Sequence, residues 1–250
     1  MHHSLDVIIN CVGLVDPVKI RDAGSELLNI TEHFDECALS YLSGKSDTLY
    51  INMSSGAVFG RVFDKPVDEH TCGIIDINHI GPNDFYSLAK IHAEAKHRAL
   101  PPMHIVDIRV FSYFSRFADL NAHFFLNDIL KCIKSKSDFF TTSRDMTRDY
   151  VHPDDLFALV QCCIEKNRIN DVFDVYSREC ITKKNILAYF SRQYGLRVVT
   201  RDDAATIDAA GKKDFYYSMN RKAADIGYAP AYNSLDTIKM EAAALLGTSS

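Results

Sequence analysis

The chain has 250 residues, a formal net charge of −5 and an isoelectric point near 6.0. Its composition, 47% hydrophobic and 24% charged, is that of a globular protein with one or two domains. The acidic balance and the scattered lysines and arginines argue against a nucleic-acid-binding protein. No apolar run has the ~18 residues of a membrane span, and the N-terminal residues lack a signal-peptide core.

The cysteines and histidines predict free thiols and no metal site. The seven cysteines form no C-x-x-C pair, which is typical of buried thiols in a reducing, cytoplasmic compartment. The ten histidines show neither H-E-x-x-H nor a Cys/His pair at zinc-site spacing. A G-x-S-x-G motif is absent as well, which argues against a serine hydrolase of that kind.

The hydrophobic pattern predicts alternating strands and helices in the first part of the chain. The expected elements are a strand over 5–12, a helix over 22–43, a strand over 48–53, a helix over 84–99 and a strand over 104–111. This β-α-β-α-β order favours a parallel sheet with right-handed crossovers.

The second part of the chain has a different texture, aromatic and polar after Phe111. The expected elements are helices over 123–134 and 156–163, a strand over 171–176, a helix from Thr182 to Tyr194 and a last helix that ends at Gly247. Asp154 is the predicted N-cap of the helix over 156–163.

The pair Tyr86-x-x-x-Lys90 is the strongest catalytic signal. Tyr41 and Lys45 have the same spacing, but they lie at the end of a predicted helix, whereas Tyr86 opens a segment of strong helix formers. On a helix, residues four apart share one face, about 5–6 Å apart at Cβ. We expect the ammonium to lower the pKa of Tyr86, so that the phenol exchanges a proton with a sugar hydroxyl or ketone.

Ser55 follows the strand predicted over 48–53. Open α/β sheets bind ligands at the carboxyl ends of their strands, so we expect Ser55 to hydrogen-bond the substrate oxygen beside Tyr86. The alternative is that Ser54-Ser55-Gly56 is only a turn after a strand.

Several blocks, taken in order, resemble the extended short-chain dehydrogenase/reductase (NAD-dependent epimerase/dehydratase) family, whose members mostly modify nucleotide-bound sugars. The blocks are Val-Ile-Ile-Asn-Cys-Val-Gly13, Asn29 in Leu-Leu-Asn-Ile-Thr, Ser-Ser-Gly-Ala-Val-Phe-Gly60, Tyr86 with Lys90, Arg148-Asp-Tyr-Val-His-x-Asp-Asp, and Asn220-Arg-Lys-Ala with Gly-Tyr-x-Pro230. The resemblance, which is to enzymes of the UDP-galactose 4-epimerase type, implies an α/β fold with a Rossmann-like parallel sheet. Residues 1–111 would form a truncated NAD-binding core to which 148–189 returns, and 112–147 with 190–250 a small substrate-binding region.

The resemblance also implies roles for individual residues. The implied catalytic residues are Ser55, Tyr86 and Lys90. The implied cofactor contacts, to NAD or possible NADP, are Cys11, Val12, Gly13, Asn29, Met53, Tyr86, Lys90, Val110 and Phe111. The implied substrate contacts are Ser55, Ser112, His123 and Arg148. Arg148 would bind the substrate diphosphate, which a guanidinium fits well; the alternative is a surface arginine paired with Asp149 or Asp145.

The chain departs from the family pattern at its front. Nothing before Leu5 resembles the first strand and Gly-rich turn that hold the cofactor pyrophosphate, and no G-x-G-x-x-G occurs. We therefore expect a sheet without its first strands, in a chain that is a fragment or a natural short form. Ser112 replaces a common Asn, and the usual Gly-Pro after the strand over 104–111 is missing, which leaves the nucleotide and the sugar open.

Gly56-Ala57 replaces the Asp-Glu pair of the family's dehydratases, so a 4,6-dehydratase is not expected. The resemblance implies an NAD-dependent nucleotide-sugar epimerase. A 4-ketoreductase and an inactive, binding remnant of the family are the alternatives. The family also implies a homodimer formed by the helices over 22–43 and 84–99, with an apolar face for which the candidates are Leu27, Phe34, Leu88 and Ile91.

Overall fold

The structure is a computed structural model that describes residues 4–45, 47–61, 63–166, 168–202 and 213–247. The strands are β1 Val7–Asn10, β2 Leu49–Ser55, β3 Ile105–Val110, β4 Ser112–Tyr113, β5 Phe139–Thr141, β6 Thr147–Arg148, β7 Tyr150–Val151, β8 Asn170–Asp174, β9 Ile181–Thr182, β10 Val198–Thr200 and β11 Phe215–Tyr216. The helices are α1 Pro17–Ala23, α2 Glu26–Leu42, α3 Phe85–Arg98, α4 Phe125–Ser135, α5 Pro153–Ile164, α6 Lys183–Tyr194 and α7 Ser234–Leu246.

The central sheet has the strand order β1-β2-β3-β8, and its neighbouring strands are parallel. Its middle strands are continuous apolar runs, with Ile51, Val106 and Ile108 fully buried. Such runs are typical of parallel strands that helices cover on both faces. The predicted α/β fold with a Rossmann-like parallel sheet is confirmed. At the β1 edge, Ile9 is 46% exposed.

The helix predicted over 22–43 is in fact two helices, and α1 was missed. The Asp16 carboxylate accepts hydrogen bonds from the backbone N–H groups of Val18 and Lys19, which caps α1 with Pro17 at its first position. Gly24, at φ 54°, separates α1 from α2. A left-handed residue at this point is the physical reason for the break.

The start of α5 was also predicted wrongly. The helix begins at Pro153, and the N-cap is His152, whose Nδ1 accepts from the Asp154 N–H at 3.1 Å. Proline suits the first helical position because its missing N–H is not needed there. The predicted boundaries at Thr182, which caps α6, and at Gly247, which ends α7, are confirmed.

The two largest hydrophobic clusters among the described residues support the fold. One joins the central sheet to α5, and it also takes in Ala223 and Tyr228 from the C-terminal part. The other joins α4, α6 and α7. The seven cysteines are free, as expected, but only Cys163 is buried, so the prediction of buried thiols was wrong for the others. Within the described ranges, no helix is long and apolar enough to cross a membrane.

Candidate functional site

Ser55 is the last residue of β2, which is one of the two inner strands of the central sheet. Its backbone is paired with Val110 at the end of β3, and its side chain is buried. Its Oγ accepts a hydrogen bond from the Ala57 N–H at 3.2 Å, which caps the short 3-10 helix Gly56–Phe59. The turn is therefore real, and it holds the Ser55 hydroxyl at the carboxyl end of the strand.

Tyr86 lies in the first turn of α3, next to Ser55. Burial raises the pKa of Tyr86, and the Ser55 side chain offsets only part of that rise. The prediction that Lys90 lowers the pKa of Tyr86 was wrong for the protein without a bound ligand. The reason is geometric, because the Lys90 ammonium donates instead to the backbone oxygen of Met53 at 2.8 Å.

Lys90 is buried at the junction of β1 and β2. Burial lowers its pKa, and the carboxylates of Asp107, Glu94 and Asp35 act against that lowering. A Cβ built on Gly13 would lie 3.8 Å from the Lys90 Nζ, so the ammonium faces the backbone after β1. Met53 is the only hydrogen-bond acceptor recorded for this ammonium among the described residues. Two further N–H donors thus remain for ligand hydroxyls, which fits the ribose of a nicotinamide cofactor.

A buried charged network, which the sequence analysis missed, lies near Lys90. His97 is fully buried, with Nε2 2.7 Å from the Asp35 Oδ1 and Nδ1 2.9 Å from the Asp107 Oδ1. Tyr50 donates to Asp35 at 2.9 Å, and Asn52 donates to Asp107 at 2.7 Å. Burial alone would lower the pKa of His97, but the two carboxylates raise it to about 9. His97 is therefore an imidazolium at neutral pH that ties α2, α3 and β3 together.

Phe111 packs where a side chain at position 56 would lie. A Cβ built on Gly56 would approach the Phe111 ring carbons to 2.4 Å. The Phe111 ring stacks on the Phe59 ring, with 6.3 Å between the ring centres, and also packs against Tyr216, with 5.3 Å between the ring centres. Glycine is thus required at position 56, and an acidic residue of the dehydratase type does not fit there.

Arg148 is half-buried and faces Tyr216, its register partner in β11. Its Nη1 donates to the backbone oxygens of Thr147 at 2.9 Å and Lys213 at 2.6 Å. Burial lowers the pKa of the guanidinium. No carboxylate pairs with Arg148 in the part of the chain that the structure describes. Asp149 instead accepts from the Ser177 N–H and the Ser234 Oγ.

Other predicted contacts lie at the margin of this site or away from it. Cys11 and Val12 follow β1 directly and are exposed, and Ser112 is half-buried in β4. Asn29 is exposed on α2, where it donates to Glu26 at 3.3 Å. The exposed His123 donates its backbone N–H to Asp16 at 3.0 Å. Among the described residues, no recorded contact joins Asn29 or His123 to Ser55, Tyr86 or Lys90, and their roles remain predictions.

Tyr216 belongs to the site although the sequence analysis did not select it. Its hydroxyl lies 3.4 Å from the Ser55 Oγ, and the ring is buried. Burial raises the pKa of Tyr216, so the phenol keeps its proton. The only sequence signal is its place in an aromatic run just before the Asn220 block. Nothing local predicts a contact with a residue 161 positions earlier.

Residues 1–177 match the sequence model of the NAD dependent epimerase/dehydratase family. Among curated protein sequences, none is significantly similar to this chain.

Solved structures resemble the chain over nearly its whole length. UDP-glucuronic acid 4-epimerase from Bacillus cereus, solved with UDP-glucuronic acid and NAD, is 16% identical with a TM-score of 0.77, covering 96% of this chain and 75% of its own. RMD from Pseudomonas aeruginosa, complexed with NADPH, is 16% identical with a TM-score of 0.76. The match covers 97% of this chain and 81% of the RMD chain. DesIV, a dTDP-glucose 4,6-dehydratase from Streptomyces venezuelae with NAD bound, is 12% identical with a TM-score of 0.77. The match covers 96% of this chain and 72% of the DesIV chain. At these identities the likeness establishes the fold.

Proposed function

Because the chain belongs to the NAD-dependent epimerase/dehydratase family, we propose that it is a nucleotide-sugar epimerase that oxidises and re-reduces a sugar hydroxyl with NAD. NADP is the alternative cofactor. The observation that carries the proposal is that Tyr86 lies next to Ser55 at the carboxyl end of β2, with the buried Lys90 ammonium on the same helix as Tyr86. A parallel sheet binds its ligands at this end of its strands.

The proposed chemistry divides the work among three side chains. Ser55 hydrogen-bonds the reacting sugar oxygen and holds it against Tyr86. With the cofactor bound, Tyr86 would act as the phenolate, take the hydroxyl proton on its phenolic oxygen during oxidation and return it during reduction. Lys90 would hold the ribose hydroxyls of the cofactor with its two remaining N–H donors. NAD, when bound, supplies the hydride-accepting ring, and the positive charge of that ring favours the phenolate of Tyr86.

One observation supports an epimerase over a dehydratase, and a second supports a nucleotide-sugar substrate. The space beside Gly56 is filled by the Phe111 ring, so an acidic side chain does not fit at position 56. Arg148, with no carboxylate partner among the described residues, is available for the substrate diphosphate. A 4-ketoreductase would use the same Ser55, Tyr86 and Lys90, and analysis of the reaction product separates the two activities.

Replacement of Tyr86 by Phe tests the proposed function. With NAD and a panel of nucleotide sugars, Tyr86→Phe should lower turnover by at least the ~10²-fold typical of a general acid/base group, with little loss of substrate binding. Tyr41→Phe is the matched control, because Tyr41 precedes Lys45 at the same spacing but lies in α2 and contacts the backbone of Leu5. Near-normal turnover in Tyr86→Phe would contradict the assignment.

A homodimer formed through α2 and α3 is part of the same proposal. Phe34 is 45% exposed and Ile30 37% exposed on α2, and Leu88 and Ile91 are half-buried on α3. Leu27, which was also a candidate, packs in the core at 1% exposure. A cytoplasmic location and a role in polysaccharide biosynthesis complete the proposal, since nucleotide sugars are precursors of such polymers.

A further inference from the structure

A lysine that none of the sequence motifs includes lies beside the candidate active site. The Lys213 Nζ is 4.6 Å from the centre of the Tyr216 ring and 5.9 Å from that of Phe63. Tyr216 is the residue whose hydroxyl reaches Ser55. A single tyrosine ring therefore separates the Lys213 ammonium from the catalytic hydroxyls.

Among the described residues, the two charged side chains that act on the pKa of Lys213 are cations. Arg148 donates to the backbone oxygen of Lys213, and its guanidinium carbon lies 5.7 Å from the same Tyr216 ring. Arg61 is the second positive neighbour, and its own ion pair is with Asp84 at 3.9 Å. Asp214, the next residue in the chain, is paired with Arg144 at 2.5 Å. In the described residues, no carboxylate forms an ion pair with Lys213.

Such a cluster of like charges is unfavourable in the free protein. Burial, together with the charges of Arg148 and Arg61, lowers the pKa of Lys213 to about 8. A half-buried ammonium beside two guanidiniums costs folding free energy unless an anion is bound nearby. The aromatic faces of Tyr216 and Phe63 compensate only in part, because a cation–π contact is a weak interaction.

We propose that Lys213 and Arg148 form an oxyanion subsite at the wall of Tyr216 and bind an anionic group of the substrate. The inference rests on the proposed function and adds Lys213 to its substrate contacts. The oxyanion has two possible sources, the diphosphate of a nucleotide sugar or a carboxylate carried by the sugar itself. Both bind ammonium and guanidinium groups by charge-assisted hydrogen bonds.

The test compares Lys213→Met with wild type. Methionine keeps most of the length and apolar contact of the lysine stem but removes its charge. The matched control is Lys239→Met, at an exposed lysine on α7, and Arg148→Ala is the reference for the subsite. Calorimetry at pH 7 with saturating NAD measures binding of UDP, UDP-glucose, UDP-glucuronic acid and dTDP-glucose, and thermal unfolding of each variant is followed in parallel.

Lys213→Met should weaken binding by roughly 10- to 100-fold, the range for one charged hydrogen bond, while Lys239→Met binds as wild type does. The melting temperature of Lys213→Met should equal or exceed that of wild type, because removing the lysine charge relieves its repulsion with Arg148 and Arg61. A loss of affinity that is already seen with UDP, which carries no sugar, assigns the diphosphate as the source of the oxyanion. A loss confined to UDP-glucuronic acid assigns the sugar carboxylate. Wild-type affinity should also fall between pH 7 and 9.5, as Lys213 loses its proton, and this slope should be missing in Lys213→Met.

Three results would overturn the subsite. If wild type binds the panel and Lys213→Met binds it equally well, Lys213 takes no part and the proposed function stands without it. A clear fall in melting temperature with unchanged affinity would make Lys213 a purely structural cation. If wild type binds none of the nucleotides, the subsite and the proposed function fail together.

Discussion

Replacing His97 by Gln should destabilise the protein strongly and in a pH-dependent way. The imidazolium lies between the Asp35 and Asp107 carboxylates, with all three side chains buried. Glutamine is uncharged and donates to only one of the two partners with comparable geometry. The variant removes the cation that the two carboxylates share, while Lys96 at 3.1 Å from Asp35 and Arg98 at 3.0 Å from Asp107 remain. The cost should therefore approach, but not exceed, the about 3–5 kcal/mol of breaking a buried ion pair.

The pH dependence follows from the pKa of His97. A rise from 6.5 to about 9 in the folded protein corresponds to about 3 kcal/mol of stabilisation. Because the folded-state pKa is the higher one, this contribution is complete below pH 6.5 and is lost as the pH rises through about 9. The difference in unfolding free energy between wild type and His97→Gln should therefore narrow by about 3 kcal/mol from pH 6 to pH 10.

Urea unfolding at a series of pH values measures this difference. His92→Gln is the matched control, since His92 is exposed on the same helix and should change stability by no more than about 0.5 kcal/mol. Comparison with wild type at each pH removes the opposite contribution of Lys213, which titrates in the same range. A loss in His97→Gln that is equal at pH 6 and pH 10 would refute a charged histidine in this network.

Two further variants test the packing of the site and of the helices. Gly56→Asp should lower stability by about 1–3 kcal/mol, since its Cβ meets the Phe111 ring, and should give no dehydratase activity; unchanged thermal unfolding would contradict the close contact. Phe34→Asp should convert a dimer into a monomer in sedimentation at micromolar concentration, whereas Phe157→Asp, at a 60% exposed phenylalanine on α5, should not. Wild type that sediments as a monomer would count against the dimer.

Features that depend on neighbouring residues could be read from the sequence. The alternation of elements gave the parallel sheet, and the helical spacing of Tyr86 and Lys90 gave their common helix. The cap at Thr182 and the end at Gly247 follow from local side-chain chemistry. The break at Gly24 was missed because the predicted helix was extended toward the N-terminus, past Glu26, where α2 begins.

Features that depend on contacts between distant segments could not be predicted. Tyr216 reaches Ser55 only because β11 pairs with β6, a two-residue parallel contact without a sequence signature. The sign of the pKa change at Tyr86 depends on where the Lys90 ammonium points, which spacing alone does not determine. His97 stood in the sequence as one of ten histidines, and its two carboxylate partners lie on α2 and β3.

The segments around Ser55 differ from the sheet in how they are joined to it. Phe63 is bridged to Lys213 and Val67 to Ser218, so two stretches far apart in sequence enclose the site through isolated β-bridges. Closing so long a loop costs entropy before any contact forms, so these bridges are expected to form late in folding. The wall that carries Tyr216 is thus completed only after the four-stranded sheet that positions Ser55 has formed.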